Sequence, residues 1–189
     1  MAKILQNIKF ANSFVFEKGG LRVMGVQGLM FPVPFLSLLY ELGCKLGTKE
    51  KVDDVIFLAG KRQGKNAMEF TANKIGMKSK DVKQVLHFVF GQSEIGGMGS
   101  LYIQNVDNDA KKIWIIVDTE YFEPISNTIF GQATKKTNTF VIRYLCGSIS
   151  AISSFVWGEP IKVEAKIEGD KKYHLYCSPG ENDLGALSK

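Results

Sequence analysis

The side chains able to do chemistry are few and scattered along the chain. Gly60-Lys61-Arg62-Gln63-Gly64-Lys65-Asn66 has the outline of a phosphate-binding loop. That loop needs four residues between its glycines and a Ser or Thr after the lysine to reach a metal ion. Here three residues separate the glycines, asparagine follows Lys65, and the apolar spacing around the stretch is helical. Gly96, Gly97 and Gly99 resemble a dinucleotide loop, but such a loop opens a helix, and here the alternation of a strand follows. His87 and His174 are the only histidines, and no Cys or His pair has metal-ligand spacing. Cys44, Cys146 and Cys177 are odd in number and lie in apolar settings, which reads as reduced thiols. Glu159, Glu164 and Glu168 read as solvated strand and loop residues. The expectation is therefore no catalytic residue, no metal and no cofactor.

The elements that would position any site are clearer. Residues 137–178 read as a helix, a stop and a hairpin. Asn138 or Thr139 can cap the helix start. Val141, Leu145, Ile149, Ile152 and Val156 recur at helical spacing, with Phe140, Tyr144, Ala151 and Phe155 forming a second apolar face. Cys146, Gly147, Ser148, Ser150, Ser153 and Ser154 make its middle small, and Gly158 and Pro160 end it. Ile161, Val163 and Ala165 then alternate with Lys162, Glu164 and Lys166, Glu168-Gly169-Asp170 turns, and Tyr173, Leu175 and Cys177 alternate back.

Upstream, Ser13–Glu17 and Leu21–Val26 flank a Gly-Gly turn and predict a hairpin. Pro32 and Pro34 precede a helix over 35–46 with the stripe Phe35, Leu38, Leu39, Leu42 and Leu46. A second helix spans about 51–75, with Val52, Val55, Ile56, Ala59, Ala67 and Phe70 as its buried side. Gly60 and Gly64 stand in its interior, where each costs about 1 kcal/mol relative to alanine. Two together predict a close approach by another helix or a ligand. Ser79 caps a third helix carrying Val82, Val85, Leu86 and Val89 and ending at Gly91, before a glycine-rich loop over 92–99. Leu101–Val106 alternates, Asp107-Asn108-Asp109 turns, and Ile113–Val117 is apolar enough to be buried on both faces. Residues 119–136 lack periodicity and read as a surface loop or lid.

At 189 residues the chain suits one domain, expected over 1–178, with 179–189 a polar tail that has little to bury. Its 45% hydrophobic and 23% charged composition is that of an ordinary globular protein. No apolar run approaches the roughly 20 residues of a membrane span, and the first residues do not read as a secretory signal, so neither an integral membrane segment nor secretion is expected, and the expected location is cytoplasmic. A net charge of +5 is moderate and does not demand a nucleic-acid partner.

The order of hairpin, two helices with Gly60-x-x-x-Gly64, third helix, hairpin, helix and terminal hairpin resembles a known family. It is similar to the vinyl-4-reductase-type domain, a hydrocarbon-binding domain related to core subunits of the transport protein particle (TRAPP), the vesicle-tethering complex. The residues that carry the resemblance are Gly60 and Gly64, Leu145-Cys146-Gly147, and Ile161–Leu175 with Glu164, Gly169 and Asp170. It extends over about 12–178. The resemblance implies an α+β fold in which an antiparallel sheet of hairpins packs on a helical layer, of the type shared by NO-signalling and Golgi-transport ligand-binding domains. It also implies dimers and a buried cavity for small apolar molecules. Vinyl-reductase-type members carry cysteines at places corresponding to about Ile167 and Tyr173, and tethering subunits that hold a covalent acyl chain carry one soon after the Gly-x-x-x-Gly helix. Neither is present here, including over 76–80.

The resulting expectation is non-enzymatic binding or sensing of a small apolar molecule, a hydrocarbon, lipid or tetrapyrrole-like compound, in a cavity between helices. Phe35, Leu39, Leu42, Phe140, Tyr144, Ala151 and Phe155 are the expected lining, with Gly60, Gly64 and Gly147 admitting close approach. A homodimer is expected. The alternative is a protein-assembly module related to the tethering subunits, with a filled core and a dimer interface.

Overall fold

One long helix packs against three other helices and against the four-stranded sheet. The computed structural model describes residues 14–17, 20–23, 26–28, 33–75, 81–95, 100–118, 133–168 and 172–184. In chain order these form strands β1 (Phe14–Glu17), β2 (Gly20–Val23) and β3 (Val26–Gly28), then helices α1 (Val33–Leu46), α2 (Lys49–Phe70) and α3 (Val82–Ile95). Strands β4 (Ser100–Asp107) and β5 (Lys112–Asp118) follow, then helix α4 (Ala133–Trp157) and strands β6 (Ile161–Glu168) and β7 (Lys172–Pro179). The first three strands pair antiparallel in sequence order, and the other four form an antiparallel sheet in the order β4-β5-β7-β6. The fold is α+β, an open antiparallel sheet packed against helices. Helix α4 lies between the sheet and α2, with α1 and α3 beside it.

The core follows from the period of each element. Ile113, Ile115 and Val117 of β5, Tyr173, Leu175 and Cys177 of β7, and Ile161 and Val163 of β6 all point inward. They meet Val141, Leu145, Ile149 and Ile152 of α4 and Val82, Val85, Leu86 and Val89 of α3 in one cluster. The β5 expectation of two dry faces is corrected: Trp114 is exposed and Ile116 half-buried, so the strand alternates after all. The continuous apolar run is an outer pair, Trp114 and Ile116, added to the inner Ile113, Ile115 and Val117. In β4 the pairing slips between Ile103 and Asn105. This bulge re-phases the strand, so Val106 joins Leu101 and Ile103 against the core instead of opposing them.

Several boundaries differ from expectation. Helix α2 starts at a Thr48 cap, whose hydroxyl accepts from Lys51 N at 3.3 Å. It continues into a π turn over Thr71–Ile75, where Thr71 Oγ1 donates to Ala67 O at 2.7 Å. Its buried side is Asp54, Ile56, Phe57, Gly60, Gly64, Ala67 and Met68. Val55 and Ala59, expected inside, are exposed, because the glycine pair sets the rotation of the helix. Ser79 lies outside the described residues; Asp81 Oδ1 accepts from Lys83 N at 2.9 Å at the start of α3. Helix α3 passes Gly91 and ends at Ile95, so the expected loop is shortened; 96–99 lie outside the described residues. Helix α4 begins at Ala133, inside the expected loop over 119–136; 119–132 lie outside the described residues, as do Gly19, Gly76 and the turn at 169–171.

Two expectations about the ends of the range of apolarity also change. Thr139–Trp157 is long and apolar enough, by length and composition alone, to cross a membrane. Here that apolarity is spent on contact with the sheet, α2 and α3. Residues 180–184, expected in the tail, are tied to the fold. Asn182 Oδ1 accepts from Val163 N at 3.1 Å and its Nδ2 donates to Val163 O at 3.0 Å. Gly180 N donates to Pro160 O at 2.9 Å, and Leu184 packs on the core. Residues 185–189 lie outside the described residues.

Candidate functional site

The crossing of α2 and α4 is the tightest contact around the expected site. A Cβ added at Gly60 would collide with the Tyr144 carbonyl, one at Gly147 with the Phe57 carbonyl, and one at Gly64 with the Ser148 carbonyl and Ala151 Cβ. Glycine is required at all three because backbone meets backbone. Ser148 Oγ donates to Gly60 O at 2.9 Å and fastens the two helices at that point. The middle of the crossing is thus occupied by the chain itself.

The expected lining residues divide around this closed centre. Tyr144 and Ala151 sit at the crossing, with Ala151 buried and Tyr144 and Phe140 half-buried. Burial pushes the Tyr144 hydroxyl up to about 12. Leu39 and Leu42 on α1 and Phe155 near the end of α4 each expose roughly half of their surface. The side chain of Phe35 lies outside the described residues. The structure therefore brings Gly60, Gly64, Tyr144, Gly147 and Ala151 together, and leaves Leu39, Leu42 and Phe155 as partly open apolar surface.

A polar network that the apolar patterning had hidden joins the same helices. Arg143 Nε donates to Asp53 O at 3.2 Å and its terminal nitrogen reaches Asp54 Oδ1 at 3.3 Å. Its guanidinium also lies over the Phe57 ring at 5.1 Å. Tyr40 OH donates to Asp53 Oδ1 at 2.9 Å, and Lys49 Nζ to Asp53 Oδ2 at 2.7 Å. Burial first, and then the bond to the Asp53 carboxylate, hold the Tyr40 hydroxyl well above its ordinary range. The signal was available: Arg143 is the one cation in the apolar run from Phe140 to Trp157, and a buried cation needs a buried anion.

The thiols and histidines offer little reactivity. Burial pushes both the Cys146 and the Cys177 thiol up to about 12, so neither is a thiolate near neutral pH. Ser153 Oγ is fully buried without a hydrogen-bond partner. On the outer sheet face Trp114 Nε1 donates to His174 Nδ1 at 3.2 Å, and His174 Nε2 lies 2.5 Å from Glu168 Oε2 without good hydrogen-bond alignment. His87 is exposed on α3. Chemically, the arrangement can bind by shape and apolar contact.

No known family model matches the sequence, and no curated protein matches it. Solved structures do match. The chain is similar to the phenol-responsive sensory domain of the transcription activator PoxR, solved with phenol: TM-score 0.70 and 16% identity, covering 98% of this chain and 94% of that one. It is also similar to trafficking protein particle complex subunit 3 from Naegleria fowleri, solved covalently bound to palmitic acid. There the TM-score is 0.50 and the identity 14%, over 79% of this chain and 95% of that one. At these identities the likeness establishes the fold, and the tethering side of the expected resemblance is matched in structure.

Proposed function

We propose that this protein binds or senses a small apolar molecule without transforming it. One observation carries the reading: 98% of the chain aligns with 94% of a sensory domain solved with phenol. The second neighbour, solved with palmitic acid, supports an apolar ligand class of wide size range. Membership of the vinyl-4-reductase-type family and a cytoplasmic location belong to the same proposal. Because backbone closes the α2–α4 crossing, the ligand rests beside it, against Leu39, Leu42, Phe140 and Tyr144, or against Ala151 and Phe155. Gly60, Gly64 and Gly147 shape those walls by letting the helices meet. Each 100 Å² of ligand surface buried there is worth about 2.5 kcal/mol, so a small hydrocarbon can bind usefully. The test is native mass spectrometry and thermal shift against phenols, fatty acids, isoprenoids and tetrapyrroles. Retention of one class, weakened by Leu42→Glu, is expected; no retention of any class overturns the proposal.

A second reading, an assembly module, has its own support. Leu39, Leu42 and Leu46 on α1 and Val55 and Leu58 on α2 are exposed, Leu46 to 90%, and apolar surface of this kind serves partners. Here the occupant is a second copy meeting helix to helix. Light scattering then shows a dimer that Leu42→Glu dissolves, and a strictly monomeric wild type rejects it.

A further inference from the structure

The outer edge of the four-stranded sheet is built unevenly. β6 is an edge strand. Asn182 takes both the N–H and the C=O of Val163, so Val163 directs those groups away from β7. By the alternation of an antiparallel ladder, Ile161, Ala165 and Ile167 do the same. The groups of Ile161 are also occupied: its N–H donates to Ser154 Oγ at 2.9 Å, and its C=O accepts from Ser150 Oγ at 2.6 Å. Nothing among the described residues covers the edge at Ala165 and Ile167. Both are exposed, Ile167 to 62%, although their side chains point to the same face as the buried Ile161 and Val163. A single side-chain amide thus imitates one residue of a fifth strand, and the strand it imitates is missing beyond it.

We infer that the 163–167 edge of β6 is a pairing strand for a second copy of this chain, held shut by Asn182. The sequence of the strand supports that occupant. A twofold axis through Ala165, perpendicular to the sheet, sets Glu164 against Lys166, Lys162 against Glu168 and Val163 against Ile167. Moving the axis by one residue sets Lys162 against Lys166, or Glu164 against Glu168. Opposite charges directly across a pair stabilise it and like charges oppose it, so of these three registers the first suits two copies. That register also aligns the residues whose backbone groups face outward. Its three hydrogen-bonded pairs, two bonds each, replace the two bonds that each Asn182 makes. The serine pair at Ile161 ends the usable edge. The opened form is an eight-stranded sheet continuous across two copies, and the segment after Pro179 decides whether it forms.

The inference is independent of any ligand and of the helix-to-helix contact. Sedimentation velocity over a range of concentrations tests it. Asn182→Ala is expected to double the mass of the wild-type particle at concentrations at least tenfold lower than wild type requires. Asn182→Asp, which keeps the size of the side chain but not its donor, is expected to act the same way if alanine impairs folding. Adding Lys166→Glu to either should return the wild-type mass, because glutamate then faces Glu164. Adding Glu164→Lys as well should restore the doubling. Unchanged mass in both Asn182 variants overturns the inference. So does a doubled particle indifferent to Lys166→Glu, which would place the contact on another surface.

Discussion

At the scale of single residues, the glycines of the α2–α4 crossing are structural necessities. Gly60 has the Tyr144 carbonyl where its Cβ would be. Gly60→Ala must push two backbones apart, and overpacking of this kind costs roughly 1–3 kcal/mol. A fall in Tm of about 2–12 °C is expected for a chain this long, readable by calorimetry. Ser153 predicts the opposite sign. Its hydroxyl is buried and unpaired, and leaving such a group unsatisfied costs about 1–3 kcal/mol. Ser153→Ala should raise stability, by roughly 1 kcal/mol in urea titration. The thiols set the alkaline limit. In the unfolded chain a thiol ionises near about 8.5, whereas Cys146 and Cys177 stay protonated up to about 12 in the folded one. The folded state therefore holds more protons between those values, so this stability is complete below the unfolded pKa and is lost as pH rises towards 12. Melting curves from pH 7 to 11 should show a decline that flattens in Cys146→Ala/Cys177→Ala.

At the scale of elements, one ion pair ties α2 to α4. Asp54 is buried, and Arg143 gives it a cation while also bonding the Asp53 carbonyl. Arg143→Met leaves the carboxylate in the core without its partner, which costs about 3–5 kcal/mol. Arg143→Met/Asp54→Asn should recover much of that loss, since neutralising both members removes the unpaired charge. A double-mutant cycle in urea reads the coupling directly. The rotation of α2 has the same origin. Apolar periodicity placed Val55 and Ala59 inside, but Gly60 and Gly64 must face α4, and the residues at 54, 57, 67 and 68 turn inward with them. A small-residue stripe outweighs a methyl-rich one here because only it allows backbones to touch.

At the scale of the whole molecule, the sheet and helices α2, α3 and α4 share one core, and apolar surface remains at its margins. A ligand at 100 times its Kd would add about 2.7 kcal/mol of stability. That corresponds to a Tm rise of roughly 5–10 °C, large enough for a screen of hydrocarbons, phenols and fatty acids to detect.

The sequence by itself determined the elements whose apolar period is uninterrupted: α1, α3, the hairpin of β6 and β7, and the apolar faces of α4. It also marked Gly60, Gly64 and Gly147 as places of close approach. Local spacing is enough for these because each residue's role depends on its own neighbours in the chain. Only the tertiary structure decided what approaches those glycines, namely backbone from the opposite helix, and which charges are paired in the core. It alone phased β4 through a bulge, opened the outer face of β5 at Trp114, and drew Asn182 onto the β6 edge. Those outcomes depend on partners in other elements, and the period of a single element carries no record of them.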